Sequence, residues 1–122
     1  QMLAFLRNSG VKMHAFSNYP IWFTLIEQSL RLERDHGVRW TFVSACEGLR
    51  KPSLEAYKRA ADNAHVSVSD CILLDDRQVN CEAALEAGYL HAIRFQSAAQ
   101  AELELRNTLQ PYFTKAAEQR KY

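Results

Sequence analysis

The sequence predicts an α/β fold with a mostly parallel, doubly wound sheet. Four short runs, residues 12–16, 39–44, 71–75 and 91–95, are apolar or β-branched enough to form strands. Segments of helical periodicity separate them, and the third run is almost continuously apolar, which is typical of a strand buried on both faces. This alternation with short connections favours parallel strands with crossover helices, an arrangement that places ligand sites at the carboxyl ends of the strands.

The helices are predicted from apolar spacing and from their start and stop residues. The chain opens in what we interpret as the second half of a helix, which ends at Asn8-Ser9-Gly10. Further helices are predicted over residues 20–34, 53–63, 80–87 and 97–109. Pro111 is expected to end the last of them, and a polar tail that is poorly ordered is expected to follow.

Composition narrows the class of protein. The 122 residues are 48% hydrophobic and 24% charged, the profile of one soluble globular domain. The net charge is +1 and the basic residues are scattered, which argues against nucleic acid or anionic lipid as partner. Three cysteines without metal spacing favour a reducing, intracellular compartment over a disulfide framework. No apolar run approaches the ~20 residues of a membrane span.

Polar residues follow three of the four predicted strands. Ser17 and Asn18 end the first strand, Lys51 precedes the helix after the second, and Asp75 and Asp76 end the third. Phosphoryl transfer needs hydrogen-bond donors for phosphate oxygens, a cation, and acids that hold magnesium, so the set together indicates a phosphate site. Each residue taken singly also fits a structural role, as a turn or capping residue or as a solvated charge.

Adjacent carboxylates at Asp75 and Asp76 would repel each other unless a cation or buried donors offset them, and a divalent metal is the simplest remedy. Response-regulator receivers use a similar residue set, but their acidic pair comes first in the chain. Here the order is Ser, Lys, Asp-Asp. A plain nucleotide-binding module is disfavoured because no Gly-rich loop follows any strand.

The order and the residue patterns of these motifs resemble those of the haloacid dehalogenase (HAD) superfamily of phosphohydrolases. The family pattern of an apolar strand ending in Ser-Asn matches Ala15-Phe16-Ser17-Asn18, and its K-P-x-x-x-x-Y element matches residues 51–57. The resemblance implies a Rossmann-like core in which Ser17 and Lys51 are catalytic and bind the phosphate. Asn18 would support Ser17, and Lys51 would balance the charge of phosphate and nucleophile.

The resemblance also implies a magnesium site and a substrate. An apolar strand, Asp-Asp and an Ala-rich helix ending in Gly match residues 72–88. Asp76 would be a direct Mg²⁺ ligand, Asp75 would act directly or through water, and Asn80 would organise the turn. The stretch 16–22 further resembles plant chloroplast flavin mononucleotide (FMN) hydrolases, which implies a small phosphorylated metabolite such as FMN as substrate and a chloroplast or other organelle as location.

The chain departs from the family in one respect: it contains no D-x-D-x-T/V nucleophile motif. In the family that motif lies on the central strand, between the strands that here end at Ser17 and Asp75. We therefore expect residues 11–110 to be the C-terminal part of a HAD-like core that lacks its first strand and is inactive alone. Residues 1–10 would be a cap-domain remnant or linker, and residues 111–122 the polar tail.

Two hypotheses follow from this departure. Either a missing N-terminal segment or a partner chain completes the sheet and supplies the nucleophile of a Mg²⁺-dependent phosphomonoester hydrolase, or the chain is a non-catalytic HAD-like subunit of a larger assembly. Unpaired sheet edges favour completion, because such edges promote aggregation.

Overall fold

A computed structural model describes residues 1–121 and has the predicted α/β character. Its helices and strands, in chain order, are α1 (Met2–Asn8), β1 (Met13–Ser17), α2 (Phe23–Leu30), α3 (Leu32–His36), β2 (Val38–Val43), α4 (Ser44–Glu47), α5 (Leu54–Asn63), a 3₁₀ helix (Val68–Asp70), β3 (Ile72–Asp75), α6 (Gln78–Glu86), β4 (His91–Arg94) and α7 (Ala98–Gln119). All four predicted strands are present within about one residue of their expected bounds.

The strands form two separate parallel pairs instead of one continuous sheet. β1 pairs with β2 and β3 pairs with β4, both in parallel, and within residues 1–121 no ladder joins β1 to β3. The parallel direction was predicted correctly, and the gap lies between the strands that end in Ser17 and Asp75. The resemblance to the HAD family places the absent strand at this position.

Aromatic rings from β1, β2, α5 and the segment after α6 pack against one another. The Phe16 ring on β1 meets Phe42 on β2 edge to face, with centroids 4.7 Å apart, and meets Tyr57 on α5 at 5.2 Å. Tyr57 is fully buried and contacts Tyr89 at 5.6 Å. Its hydroxyl donates to the Asn80 carbonyl at 2.7 Å. Helix α5 therefore links the first sheet to α6, which follows the second.

The last helix differs from its prediction. We expected an end at residue 109, but α7 continues through Pro111 to Gln119, so residues 111–119 are helical and not a tail, while Tyr122 lies outside the described residues. Proline removes one helical hydrogen bond, but packing beyond it holds the helix, because the Phe113 and Phe5 rings meet edge to face at 6.3 Å. Among residues 1–121 no helix is long and apolar enough to cross a bilayer.

The prediction of a single helix over residues 20–34 was wrong, because this stretch forms two helices, α2 and α3. Arg31 adopts a left-handed conformation (φ 50°) that separates α2 from α3. The Glu27 carboxylate accepts hydrogen bonds from the Glu33 amide at 3.0 Å and from Trp40 Nε1 at 2.7 Å. These bonds satisfy an amide at the start of α3 and lower the pKa of Glu27, chiefly through the Trp40 bond.

The Tyr57 hydroxyl gives a direct test of this packing. Tyr57→Phe should lower the free energy of unfolding by about 1–2 kcal/mol, because the Asn80 carbonyl loses its buried donor. Urea denaturation measures the change. Tyr112→Phe, at a tyrosine that is 48% exposed, is the matched control and should change stability by less than about 0.5 kcal/mol. Equal effects of the two substitutions would contradict the packing described here.

Candidate active site

All six residues predicted from the sequence line one cavity at the carboxyl ends of β1 and β3. The cavity has a volume of about 340 Å³. Its walls are Phe16, Ser17, Asn18, Arg50, Lys51, Asp75, Asp76, Arg77 and Asn80. The polar residues that end different strands therefore meet at one place, as expected for the carboxyl edge of a parallel sheet.

Lys51 lies at the buried floor of the cavity, with 7% of its surface exposed. Its ammonium group donates to Asp75 Oδ2 at 2.6 Å and to the Phe16 carbonyl at 2.8 Å. The Asn18 side chain fixes the Lys51 backbone by accepting from its amide and donating to its carbonyl, both at 2.8 Å. Lys51 thus connects the end of β1 to the end of β3, and its position is set from both sheets.

Both carboxylate oxygens of Asp75 accept hydrogen bonds from groups within the protein. Besides Lys51, its carboxylate accepts from the Arg77 amide at 2.9 Å and from Asn80 Nδ2 at 3.1 and 3.2 Å. Burial alone would raise the pKa of Asp75, but the Lys51 hydrogen bond, the Arg77 amide and the Lys51 charge outweigh it and hold the pKa below its usual range. Asp75 is therefore the anionic partner of Lys51, a neighbour that the sequence did not identify.

Asp76 has the opposite environment. It is exposed on the cavity wall, and within residues 1–121 its carboxylate accepts no hydrogen bond. Ser17 also lines the cavity, and its hydroxyl has no partner in the same part of the chain. These two groups can receive a ligand without breaking an existing contact.

The residues present fit a magnesium ion. Mg²⁺ binds through one or two carboxylates and retains several waters, so the free Asp76 carboxylate is a suitable donor. Asn80 Oδ1 is buried and has no hydrogen-bond partner in the part of the chain that the structure describes, and a metal-bound water is one donor that would satisfy it. The described residues contain no group of three or more His, Cys, Asp or Glu that could enclose a metal alone, so phosphate, water or further residues would complete the coordination.

Sequence reasoning missed two residues of the site, Arg50 and Arg77. Both are exposed and line the cavity, Arg50 before α5 and Arg77 before α6. The sequence feature that could have identified them is their position, since Arg50 directly precedes Lys51 and Arg77 directly follows Asp76. The catalytic motifs do not themselves require arginine at these positions.

The buried ion pair predicts an acid-dependent stability. Because the pKa of Asp75 is lowered in the folded protein, its contribution is fully present above the ordinary value of 3.8 and is lost as the pH falls below it. Urea denaturation from pH about 6 to about 2 should show a steeper loss of stability for the native chain than for Asp75→Asn. Asp76→Asn, which removes the adjacent exposed carboxyl, should keep the steep loss. If the native chain and Asp75→Asn lost stability equally as the pH fell, the lowered pKa of Asp75 would be refuted.

Comparisons with known proteins give relatives of the chain in sequence and in fold. No protein-family model matches the chain. It is 40% identical over 88 residues to flavin mononucleotide hydrolase 1, a chloroplast protein of Arabidopsis thaliana; the match covers 72% of this chain and 35% of that protein. It is 32% identical over 89 residues to the sesquiterpene phosphatase astK of Aspergillus oryzae, covering 71% of this chain and 44% of that protein. The chain thus spans less than half the length of either relative.

A solved structure gives the same fold. A HAD family enzyme of Bacteroides thetaiotaomicron, crystallised as a mutant with magnesium and inorganic phosphate, superposes with a TM-score of 0.66 at 18% identity, over 80% of this chain and 51% of the other. At this identity the match shows the fold alone. In sequence and in fold, the chain resembles HAD-like hydrolases, with a sequence similar to that of a chloroplast FMN hydrolase.

Proposed function

We propose that this chain supplies the phosphate- and magnesium-binding half of a Mg²⁺-dependent phosphomonoester hydrolase. The observation that carries the proposal is the cavity in which a buried, doubly anchored Lys51 lies with a free Ser17 hydroxyl and a free Asp76 carboxylate. A cation, a donor and a metal-ligating acid are what phosphoryl transfer requires of its surroundings. The resemblance to HAD-like hydrolases supports the same function.

Ser17 and Lys51 bind the transferring phosphate in this proposal. The Ser17 hydroxyl donates to a phosphate oxygen, and Lys51 uses its third N–H, because two are held by Phe16 and Asp75. Asn18 acts as a positioning residue through its two hydrogen bonds to the Lys51 backbone. A fixed ammonium stabilises developing charge without having to reorganise during the reaction.

Asp76 would hold the magnesium ion directly, and Asp75 would act on it through water. The assignment follows from the hydrogen bonds, since both Asp75 oxygens are occupied by Lys51, Arg77 and Asn80. Bound Mg²⁺ would neutralise phosphate charge and orient the group for attack. Asn80 keeps the Asp75 carboxylate in place from α6, and its buried Oδ1, which has no partner among the described residues, would accept a hydrogen bond from a water on the metal.

The nucleophile comes from outside the 122 residues, because they contain no D-x-D-x-T/V motif. We place it on a strand between β1 and β3, contributed by further sequence of the same polypeptide or by a partner chain. The division into two strand pairs supports this placement, since an added strand would pair with both free edges.

FMN is the proposed substrate, and a chloroplast is the proposed location. Both rest on the 40% identity to the Arabidopsis chloroplast FMN hydrolase, and no feature of the cavity by itself selects a flavin. The phosphate site described above would act on FMN as on any phosphomonoester, because it contacts only the phosphate.

The test uses the complete polypeptide that contains this chain, supplied with FMN and Mg²⁺. It should release inorganic phosphate, and Asp76→Asn should lower kcat by about two orders of magnitude or more, because the metal loses its charged ligand. Asp70→Asn, which removes an acid outside the cavity, is the control and should retain native kcat.

Two results would contradict the proposal. Full activity of Asp76→Asn would exclude Asp76 as the metal ligand. Absence of phosphate release from FMN and from simple phosphomonoesters would favour the non-catalytic subunit, whereas release from simple esters alone would refute FMN and keep the hydrolase.

A further inference from the structure

We propose that Arg50 and Arg77 are specificity-determining residues that make the cavity select the dianion of a phosphate monoester over the monoanion of a diester. The inference rests on the proposed phosphate site and extends it to two residues that the motifs do not include. Both residues line the cavity, and both are exposed. The two residues lie on different loops. Arg50 follows β2 of the first strand pair, and Arg77 follows β3 of the second.

The floor of the cavity provides almost no net charge. Lys51 and Asp75 form an ion pair at 2.6 Å, and each is over nine-tenths buried, so the two together add no net charge, although Lys51 keeps one N–H for the proposed phosphate. Asp76 adds one negative charge, which the proposed Mg²⁺ would offset. Arg50 and Arg77 bring the net charge of the residues that line the cavity to +1 before any metal is bound.

The floor is also short of donors for a phosphate. Lys51 has one N–H left, and the Asn18 amide already donates one of its two N–H groups to the Lys51 carbonyl. The Ser17 hydroxyl adds one more donor. A monoester dianion presents three non-bridging oxygens, each able to accept more than one hydrogen bond, so donors at the floor leave acceptor sites unfilled.

Arg50 and Arg77 have the chemistry that the floor lacks. Within residues 1–121 neither side chain forms a salt bridge or a hydrogen bond, so both are available to a ligand. A guanidinium group presents N–H donors in a planar fork that matches phosphate oxygens. Near neutral pH a monoester carries close to two charges and a diester carries one, so two added cations favour the monoester.

The test is an NMR titration of the ¹⁵N-labelled chain in Mg²⁺ with methyl phosphate and with dimethyl phosphate. The readout is the ratio of the two dissociation constants, diester over monoester. We expect Arg50→Gln/Arg77→Gln to lower this ratio on the order of tenfold, since each lost contact is charge-assisted but partly screened by solvent.

Two variants serve as controls. Arg31→Gln/Arg120→Gln also removes two positive charges, but from exposed positions outside the cavity, and should leave the ratio within about twofold of native. Arg50→Lys/Arg77→Lys keeps both charges without the fork and should keep most of the preference.

The outcomes separate this inference from the proposed function. A native chain that binds methyl phosphate, with a ratio unchanged in Arg50→Gln/Arg77→Gln, overturns the role of the two arginines and keeps the phosphate site. An equal weakening of both ligands overturns it as well, because the ratio then stays the same. A native chain that binds neither ligand contradicts the proposed phosphate site and the inference together.

Discussion

The buried ion pair between Lys51 and Asp75 is the contact on which the site depends. Two charges that are each over nine-tenths buried are tolerated only when they are paired and hydrogen-bonded, and here each member of the pair has at least one further hydrogen-bond partner. The Phe16 carbonyl takes a second Lys51 N–H from the β1 side, while Asn80 and the Arg77 amide complete Asp75 on the β3 side. One lysine therefore joins two strand pairs that share no ladder.

This arrangement divides the cavity into a neutral floor and a charged rim. At the floor, hydrogen bonds hold the Lys51 ammonium group and the Asp75 carboxylate in fixed positions. The rim, with Asp76 and the arginines at positions 50 and 77, consists of exposed side chains without partners in the described residues. In the proposed function, the fixed Lys51 ammonium group would favour one position of the phosphorus atom, and the exposed charges at the rim would attract metal and phosphate toward it.

The sequence predicted the strands well, and it predicted which residues meet in one cavity, because polar residues at strand ends are a local pattern. It did not predict contacts that depend on distant residues. The acids at 75 and 76 were expected to need a cation, but the cation that neutralises Asp75 is Lys51, 24 residues away. The break at Arg31 uses a conformation that arginine does not favour, and the helix through Pro111 is held by tertiary packing that overrides the local rule. Arg77 was missed because an exposed arginine usually has no role.

The most direct test of the account is a double-mutant cycle on the ion pair, with Lys51→Met, Asp75→Asn and the double variant compared by urea denaturation. Each single change leaves a buried polar or charged group without its partner, so the double variant should be more stable than the sum of the single effects by about 2–3 kcal/mol. Such coupling would establish that the pair joins the two strand pairs as described. Additive effects, within about 0.5 kcal/mol, would contradict it, because Lys51 and Asp75 would then contribute independently.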